Sequence, residues 1–459
     1  MRPGLARLGR NAARAAYALL AGLALIASTV RGQETAAQTD IIPYRSETRV
    51  LDNGLKVIVM PMPTDGLVAY WSIVRTGSRD EYEPGHTGFA HFFEHMMFRG
   101  TERFPAAVYQ GTLTEIGADT NAYTTDDYTA YYVQMTAEDL ERVVELESDR
   151  FQNLAYAEPA FQTEAGAVYG EYRKNRTNPL FTLYEALAAV AFEQHSYGHT
   201  TLGYERDIAA MPKMYDYSRS FFARYYRPEN TVLFIAGDVS AERVLPLVER
   251  YYGQWKRGYV PPEVPTEPEQ RGERRIAVAY DGQTLPTLEL AYKLPAFDPA
   301  DRTRVAADLL AALAFGETSQ IYRQLVLDEK VVELLDVETS PHRDPGLFDI
   351  TVTVKEPDQV DHVLAVIDAT IAAYREMPPD AARLADLQRR VRYGFLMNLE
   401  TPAEVAARLA RLIAVTGDLD AVRALYASYA AVTPADVQTA AQRYLSAERR
   451  TVGVLRSRQ

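Results

Sequence analysis

The residues best suited to chemistry lie in the string His91-Phe92-Phe93-Glu94-His95. The surrounding sequence, HTGFAHFFEHMMF, spaces its apolar residues as a helix does, and residues four apart share a helix face. His91 and His95 can therefore bind one cation together, and neutral imidazoles suit zinc. Zinc lowers the pKa of a bound water to about 7, and Glu94 borders the same face, where it can take the proton. The alternative is a helix with two ordinary histidines packed under aromatic side chains.

A catalytic zinc site needs a third protein ligand besides the two histidines, and one open position. His195, His199 or a carboxylate could supply that ligand. The best candidates are Glu164 and Glu171, which lie two helical turns apart on one face of QTEAGAVYGEYRKN. The two glycines between them predict that this helix approaches the histidine-bearing helix closely, because glycine inside a helix otherwise costs stability. The spacing alone also fits a surface glutamate pair on an ordinary amphipathic helix.

The composition excludes several other kinds of chemistry. The chain has 459 residues and no cysteine, which excludes disulfides, cysteine-ligated zinc, iron–sulfur clusters and thiol nucleophiles. A formal charge of −13 makes nucleic acid a poor candidate partner. Hydrophobic residues at 47% and charged residues at 24% are typical of a globular protein, and the length of 459 residues predicts about two to four domains.

Residues 1–32 are predicted to be a secretory signal peptide. Four arginines between positions 2 and 14 precede a charge-free, mostly apolar run over residues 15–30, which is short for a membrane-spanning helix. The predicted location is the bacterial periplasm, and the alternative is an uncleaved anchor that holds the protein on the membrane facing the periplasm. Residues 1–32 hold five arginines and no acidic residue, so their removal would shift the formal charge from −13 to about −18.

The rest of the chain divides into two modules. Strand-like runs open the first module around an Asn53-Gly54 turn, helical periodicity follows, and the apolar run TVLFIA closes it. Residues 257–275 hold four prolines and many charges, which predicts a linker. We therefore predict a catalytic module over residues 40–256 and a C-terminal module without zinc ligands over residues 276–459.

The two modules also end alike, which suggests an internal repeat. In FFARYYRPENTVLFIAGD (221–238) and AAQRYLSAERRTVGVLRS (440–457), Arg-Tyr precedes a polar turn, and Thr-Val then opens an apolar strand. Strands cluster at the ends of each module and helices lie between them. The predicted fold class is therefore α+β: two related modules, each an antiparallel sheet with helices packed on one face, joined by a proline-rich linker.

The passage GHTGFAHFFEHMMFRGT (85–101) resembles the signature of the insulinase/pitrilysin-type metalloproteases, whose HxxEH motif is the inverse of HExxH. This family includes the mitochondrial processing peptidases. NAYTTDDYTAYY (121–132), HSYGHTTLG (195–203) and YYRPENTVLFIAGDV (225–239) resemble later blocks of the family. The resemblance is strong over residues 45–255 and weak over residues 276–459.

The resemblance implies roles for individual residues of the metal site. His91, His95 and Glu171 would bind one zinc ion per chain, and Glu94 would be the general base. Glu164, like Glu94, would belong to the catalytic residues, but it would support the site without binding the metal. Glu171 follows His95 at one residue less than the commonest family spacing.

The resemblance also implies a substrate, partners and an activity. Asn121 and Ala122 would lie on an edge strand that pairs with an extended peptide. The expected activity is zinc-dependent endopeptidase hydrolysis of short or unfolded peptides. Family members often carry an Arg and a Tyr about seven residues apart in the other module, but Tyr322 and Arg323 are adjacent here and no suitable Tyr follows.

Several alternatives stay open for the activity and the assembly. A partner subunit could supply the absent pair, either in a homodimer or in a heterodimer with a zinc-less sister subunit. The chain could instead be a catalytically weak or inactive peptide-capture or scaffold subunit. A third alternative is a zinc hydrolase of another kind, such as an amidase.

Overall fold

The computed structural model describes residues 40–458. The predicted signal peptide, residues 1–32, lies outside that range. From Tyr44 onward the chain forms one compact unit that contains two β-sheets. Within the described range, no helix combines the length and apolar character needed to cross a membrane.

The first sheet has six strands in the order β1-β2-β6-β3-β5-β4. β2 and β6 pair in parallel, and every other neighbouring pair is antiparallel. β4 therefore lies at one edge of the sheet. The strands are β1 (Glu47–Val50), β2 (Lys56–Pro61), β3 (Leu67–Val74), β4 (Asp119–Thr124), β5 (Thr129–Thr136) and β6 (Thr231–Gly237).

The second sheet repeats this topology with five strands in the order β7-β11-β8-β10-β9. β7 and β11 form its one parallel pair, so β11 occupies the place that β6 has in the first sheet. The α+β class is confirmed, and each sheet contains one parallel pair that an all-antiparallel prediction did not include. The strands are β7 (Arg274–Tyr280), β8 (Thr287–Lys293), β9 (Val332–Glu338), β10 (Leu347–Val354) and β11 (Arg450–Ser457).

The α-helices lie mainly between the strands of each sheet, as the sequence predicted. Those of the first half are α1 (Phe89–Met96), α2 (Ala106–Glu115), α3 (Leu140–Asn153), α4 (Glu158–Asn175), α5 (Pro179–Ala191), α6 (Glu205–Ala210), α7 (Tyr215–Tyr225) and α8 (Ala241–Tyr252). Those of the second half are α9 (Arg302–Phe315), α10 (Gln320–Tyr322, continued as a π-helix to Asp328), α11 (Val360–Glu376), α12 (Ala381–Leu396), α13 (Pro402–Thr416), α14 (Asp420–Ala431) and α15 (Pro434–Tyr444).

The first sheet is covered on its second face by a helix from the other half of the chain. Successive strand residues point to opposite faces, and Trp71 and Phe234 are buried on the face opposite the main core of the first half. Helix α13 packs over β3 and β6 there. Its C-terminal carbonyls, Ala414 O and Val415 O, accept hydrogen bonds from the Arg75 guanidinium at 2.7 and 3.2 Å.

The second sheet receives a helix from the first half in the same way. Helix α5 packs over β7, β11 and β8. Gly453 on β11 leaves room for it, because a Cβ there would lie 2.9 Å from Leu183 Cδ1 and 3.1 Å from Leu187 Cδ1. Each sheet is therefore completed by a helix that belongs to the other half.

The segment between the two sheets has no regular secondary structure over residues 255–271, but it is firmly attached. The Glu267 carboxylate accepts backbone N–H groups of Glu193, Gln194 and His195 at 3.0 to 3.2 Å, and it faces Lys293 Nζ at 3.5 Å. Only 3% of the Glu267 side chain is exposed. The segment predicted as a linker thus contributes a buried ionic contact.

Helix α4 packs against α1 as predicted, with the Phe92 and Phe161 rings 5.0 Å apart, but its glycines are not the reason. A Cβ at Gly166 or Gly170 would meet no heavy atom within 4 Å among the described residues, so neither glycine is needed for close packing. The helix turns Phe161, Ala165 and Val168 inward instead, and all three are completely buried. Alanine and ordinary apolar side chains already allow α4 to reach α1.

The exchange of helices predicts that the first module does not fold well alone. Residues 40–256 without α13 would expose the apolar face that carries Trp71 and Phe234, and we expect that fragment to aggregate or to bind an apolar dye. Residues 257–458 expressed together with it should restore solubility, and the intact chain is the control. A monomeric 40–256 fragment with cooperative thermal unfolding would contradict this expectation.

Candidate metal centre

Helix α1 carries both histidines of the HxxEH motif in only eight residues. Phe89, Phe92, Phe93 and Met96 are completely buried and fix the orientation of the helix in the core. The 3.6-residue period then places the histidines together on the opposite side. The rings of His91 and His95 lie 4.8 Å apart, edge to face.

The Glu171 carboxylate on α4 reaches both histidines. Its Oε2 lies 3.6 Å from His91 Nε2 and 3.4 Å from His95 Nε2. One ligand atom from each residue lies within 4.8 Å of the others, and no other group of three or more His, Asp or Glu residues within 40–458 meets this criterion. The structure thus brings together the three residues that the sequence proposed as zinc ligands.

Glu164 orients one of the histidines. Its Oε1 lies 2.9 Å from His95 Nδ1, and its Oε2 accepts from Arg99 Nε at 2.7 Å. In the neutral imidazole, a carboxylate at Nδ1 holds the proton on that nitrogen and leaves the Nε2 lone pair available to a metal ion. Glu164 is 5% exposed and lies two turns before Glu171 on α4. It contacts His95 through Nδ1 and is not one of the three clustered residues.

The two histidines have opposite proton affinities. Burial, and then the neighbouring His95, lowers the pKa of His91 to about 4. The hydrogen bonds to Glu164 and then Glu171 raise the pKa of His95 to about 9. At neutral pH and without metal, His91 is therefore neutral, and His95 holds a proton between two carboxylates.

Glu94 lies beside this cluster and is held by the edge strand. Thr124 Oγ1 on β4 donates to Glu94 Oε2 at 2.7 Å. Burial raises the pKa of Glu94, which makes its carboxylate a better proton acceptor near neutral pH. Thr124 was not among the predicted site residues, although it lies within the block NAYTTDDYTAYY (121–132) that carries the family resemblance.

Asn121 and Ala122 lie on β4, which has no strand partner on its outer side among the described residues. β4 pairs with β5 and packs against α1. The Ala122 N–H donates to Asn121 Oδ1 at 2.9 Å. The open strand edge and the histidine helix are therefore neighbours.

A cleft of about 450 Å³ opens between this edge and the metal-ligand cluster. The predicted residues Glu94, His95, Asn121 and Glu164 line this cleft together with Phe98, Arg99, Ala106 and Gln110, which were not predicted. Phe98 and Arg99 follow the HxxEH string after only Met96 and Met97, so their closeness in sequence was the available signal. Ala106 and Gln110 share one face of α2, and only the tertiary fold places that face here.

The other two histidines considered as ligands lie elsewhere. His195 Nε2 lies 3.0 Å from Asp344 Oδ2, and His199 Nδ1 lies 2.9 Å from the Thr200 carbonyl oxygen. Burial lowers the pKa of His199. Neither belongs to the His91, His95 and Glu171 cluster.

Tyr322 and Arg323 are the residues considered above for the family's Arg/Tyr pair. They lie where α10 changes into a π-helix. The Arg323 side chain is 78% exposed and pairs with Asp328 at 3.6 Å. The sequence has no Tyr about seven residues after Arg323.

Two family profiles match the chain, and they adjoin each other. The profile described as "Insulinase (Peptidase family M16)" matches residues 56–205, which include the complete metal-ligand cluster. The profile described as "Peptidase M16 inactive domain" matches residues 214–391. Together the two profiles cover more than half of the sequence.

Individual relatives agree with these profiles. The chain is 27% identical to the zinc protease PqqE of Helicobacter pylori, over 85% of this chain and 88% of that protein. It is 32% identical to the human mitochondrial-processing peptidase subunit beta, over 51% of this chain and 47% of that protein.

The fold agrees as well. A crystal structure of a protease from Helicobacter pylori superimposes with a TM-score of 0.85 at 25% sequence identity, covering 90% of this chain and 99% of that one. The matching profiles, the related sequences and the shared fold lead to one conclusion: the chain belongs to the insulinase family of peptidases, family M16.

Proposed function

We propose that this protein is a zinc-dependent endopeptidase that hydrolyses short or unfolded peptides. The observation that carries the proposal is the cluster of His91, His95 and Glu171 with Glu94 beside it. Two imidazole nitrogens and one carboxylate oxygen form a donor set that suits zinc and leaves a coordination position open. His91, His95 and Glu171 would hold the ion: Glu171 Oε2 lies 3.6 and 3.4 Å from the Nε2 atoms of His91 and His95, and one ligand atom from each residue lies within 4.8 Å of the others.

Zinc in such a site acidifies water and polarises a carbonyl group. The proton of the attacking water is assigned to Glu94. One Glu94 oxygen is held by Thr124, so the carboxylate keeps a fixed direction towards the cluster. Glu94 then passes the proton to the leaving amine nitrogen, so the same group acts first as base and then as acid. The raised pKa of Glu94 suits both steps.

The substrate is assigned to the open edge of β4. Asn121 and Ala122 would pair with the backbone of an extended peptide, next to α1. Only a segment without its own strand partners can add to an edge in this way. This requirement favours unfolded or short peptides over folded proteins.

We also propose that the protein works as a periplasmic dimer. The N-terminal pattern of residues 1–32 supports export, with attachment to the membrane as the alternative. The absence of a suitable Arg/Tyr pair in the sequence supports a partner subunit, and one relative is itself named as a subunit. The partner is either a second copy or a zinc-less sister chain that supplies the pair.

One observation favours a second function. Arg323 is exposed and bound to Asp328, so the C-terminal half offers no clear counterpart of the family's Arg/Tyr pair. A chain in this state could bind zinc and peptide yet cleave slowly until a partner joins. The alternative is therefore a catalytically weak or inactive capture subunit.

Replacement of Glu94 by Gln separates these two functions. We expect Glu94→Gln to retain about one zinc per chain and to lose at least about 100-fold in turnover of an unstructured fluorogenic peptide, because the proton acceptor is gone. Zinc content is measured by elemental analysis of the purified mature chain. Glu102→Gln, which alters an exposed glutamate, is the matched control.

The outcome assigns the role of the chain. If wild type cleaves, a chelator stops cleavage and Glu94→Gln does not cleave, the endopeptidase proposal stands. Zinc binding by wild type without any cleavage would favour the capture function and the need for a partner. A wild-type chain that binds no zinc would overturn the metal site.

Replacement of Glu164 by Gln tests the support of His95. We expect zinc affinity to fall by about 10- to 100-fold although all three ligands remain, because His95 loses the carboxylate that fixes its tautomer. The affinity is measured by competition with a chromogenic chelator. Glu158→Gln, on the exposed first turn of the same helix, should leave the affinity unchanged.

Proton release gives an independent test of the same contact. Because the pKa of His95 is raised to about 9, zinc must displace its proton at pH 7, and zinc affinity should rise with pH until about pH 9. Calorimetry in two buffers of different ionisation enthalpy should give about one proton released per zinc. Glu164→Gln should release fewer protons, and equal release by both proteins would contradict this account.

A further inference from the structure

Helix α1 is poorly equipped to form by itself. It has eight residues, about two turns, and isolated helices of that length are unstable. Its first N–H groups have no partners within the helix and must be satisfied from outside. The N-cap residue is Gly88, which has no side chain to accept them.

A side chain at position 88 is prevented by close backbone packing. Gly88 has φ +92, and a Cβ there would lie 2.7 Å from the Leu202 carbonyl oxygen. A Cβ at Gly203 would in turn lie 2.6 Å from Gly88 N. The usual capping residues Ser, Thr, Asp and Asn therefore cannot occupy the N-cap without moving the 199–203 loop.

The missing cap is supplied by Glu81. Its Oε2 accepts the Gly88 N–H at 2.6 Å, and its Oε1 accepts the Ala90 N–H at 2.5 Å. Glu81 is 2% exposed, so both hydrogen bonds are shielded from water. A carboxylate at this end also interacts favourably with the positive end of the helix dipole.

The segment that leads to Glu81 is held by the second half of the chain. The two residues before it, Arg79 and Asp80, contact the loop between β9 and β10. Arg79 Nε donates to Asp344 Oδ2 at 2.5 Å, and Asp80 Oδ2 lies 3.9 Å from Arg343 Nη1. The loop between β9 and β10 thus restrains the segment around Glu81, which caps α1.

We propose that Glu81 is a positioning residue for the metal centre: its carboxylate caps α1 and fixes the direction in which His91 and His95 face Glu171. The proposal rests on the proposed zinc site for its effect on metal affinity. The cap itself can be tested without metal. The Glu81 carboxylate accepts backbone N–H groups at the start of α1 and is not one of the three clustered residues, so its effect on the site must pass through the helix.

The experiment compares Glu81→Gln with wild type in the full mature chain. The Gln amide group cannot accept from both N–H groups at once, so one hydrogen bond is lost. Zinc affinity is measured by chelator competition, and the visible spectrum of the Co²⁺-loaded protein reports the ligand arrangement. Hydrogen–deuterium exchange of the zinc-free protein measures the stability of α1. Glu81→Asp, which keeps the charge but is shorter, is measured in the same way in case Glu81→Gln does not fold.

A stability control separates positioning from general destabilisation. Val144→Ala truncates a completely buried side chain on α3 and should lower thermal stability without altering α1. We expect Glu81→Gln to weaken zinc binding by about five- to tenfold, to change the Co²⁺ spectrum and to accelerate exchange in α1. Val144→Ala should leave the zinc affinity within about twofold of wild type.

The results distinguish this proposal from the proposed function. If wild type binds zinc but Glu81→Gln matches Val144→Ala in affinity, spectrum and exchange, the positioning role is overturned and the zinc site stands. If wild type binds no zinc, the proposed function falls, and exchange in α1 still decides whether Glu81 caps the helix. Accelerated exchange restricted to α1 supports the cap, and unchanged exchange overturns it.

Discussion

The site depends on the approach of α1 to α4, which the hydrogen bond between Glu164 and His95 Nδ1 maintains at 2.9 Å. This contact joins residues 69 positions apart and also selects which His95 nitrogen faces Glu171. Arg99 binds the other oxygen of Glu164 and compensates its charge inside a largely buried site. Without this contact, His95 would lose the carboxylate that fixes which of its ring nitrogens faces Glu171.

The two halves of the chain are structurally interdependent. Helices α5 and α13 each complete the sheet of the other half, and Glu267 anchors the segment between the sheets. The contact of Asp344 with Arg79 extends this dependence to the region that precedes α1. The second half of the chain can therefore influence the candidate metal site of the first half through packing and hydrogen bonds.

The neighbourhood of Glu94 combines two properties that usually conflict. Burial raises the pKa of the Glu94 carboxyl, yet the group borders an open cleft of about 450 Å³. Thr124 donates to Glu94 from β4, the strand that is also the candidate substrate edge, so the carboxylate is held in place beside this opening. The same strand thus orients the proposed base and lies next to the space where a scissile bond would be placed.

Features that repeat over a few residues can be read from the sequence. The i, i+4 spacing of His91 and His95 and the α+β class follow from local patterns, because helix and strand periodicities are local, and the similar ends of the two modules indicated a repeat. The order of the strands, with one parallel pair in each sheet, and the contacts between distant groups are visible only in the folded chain. The roles of Glu81 and Thr124, the exchange of α5 and α13, and the open space beside Gly166 depend on packing between segments far apart in sequence. No local pattern encodes those contacts, since each depends on how whole helices and sheets fit together.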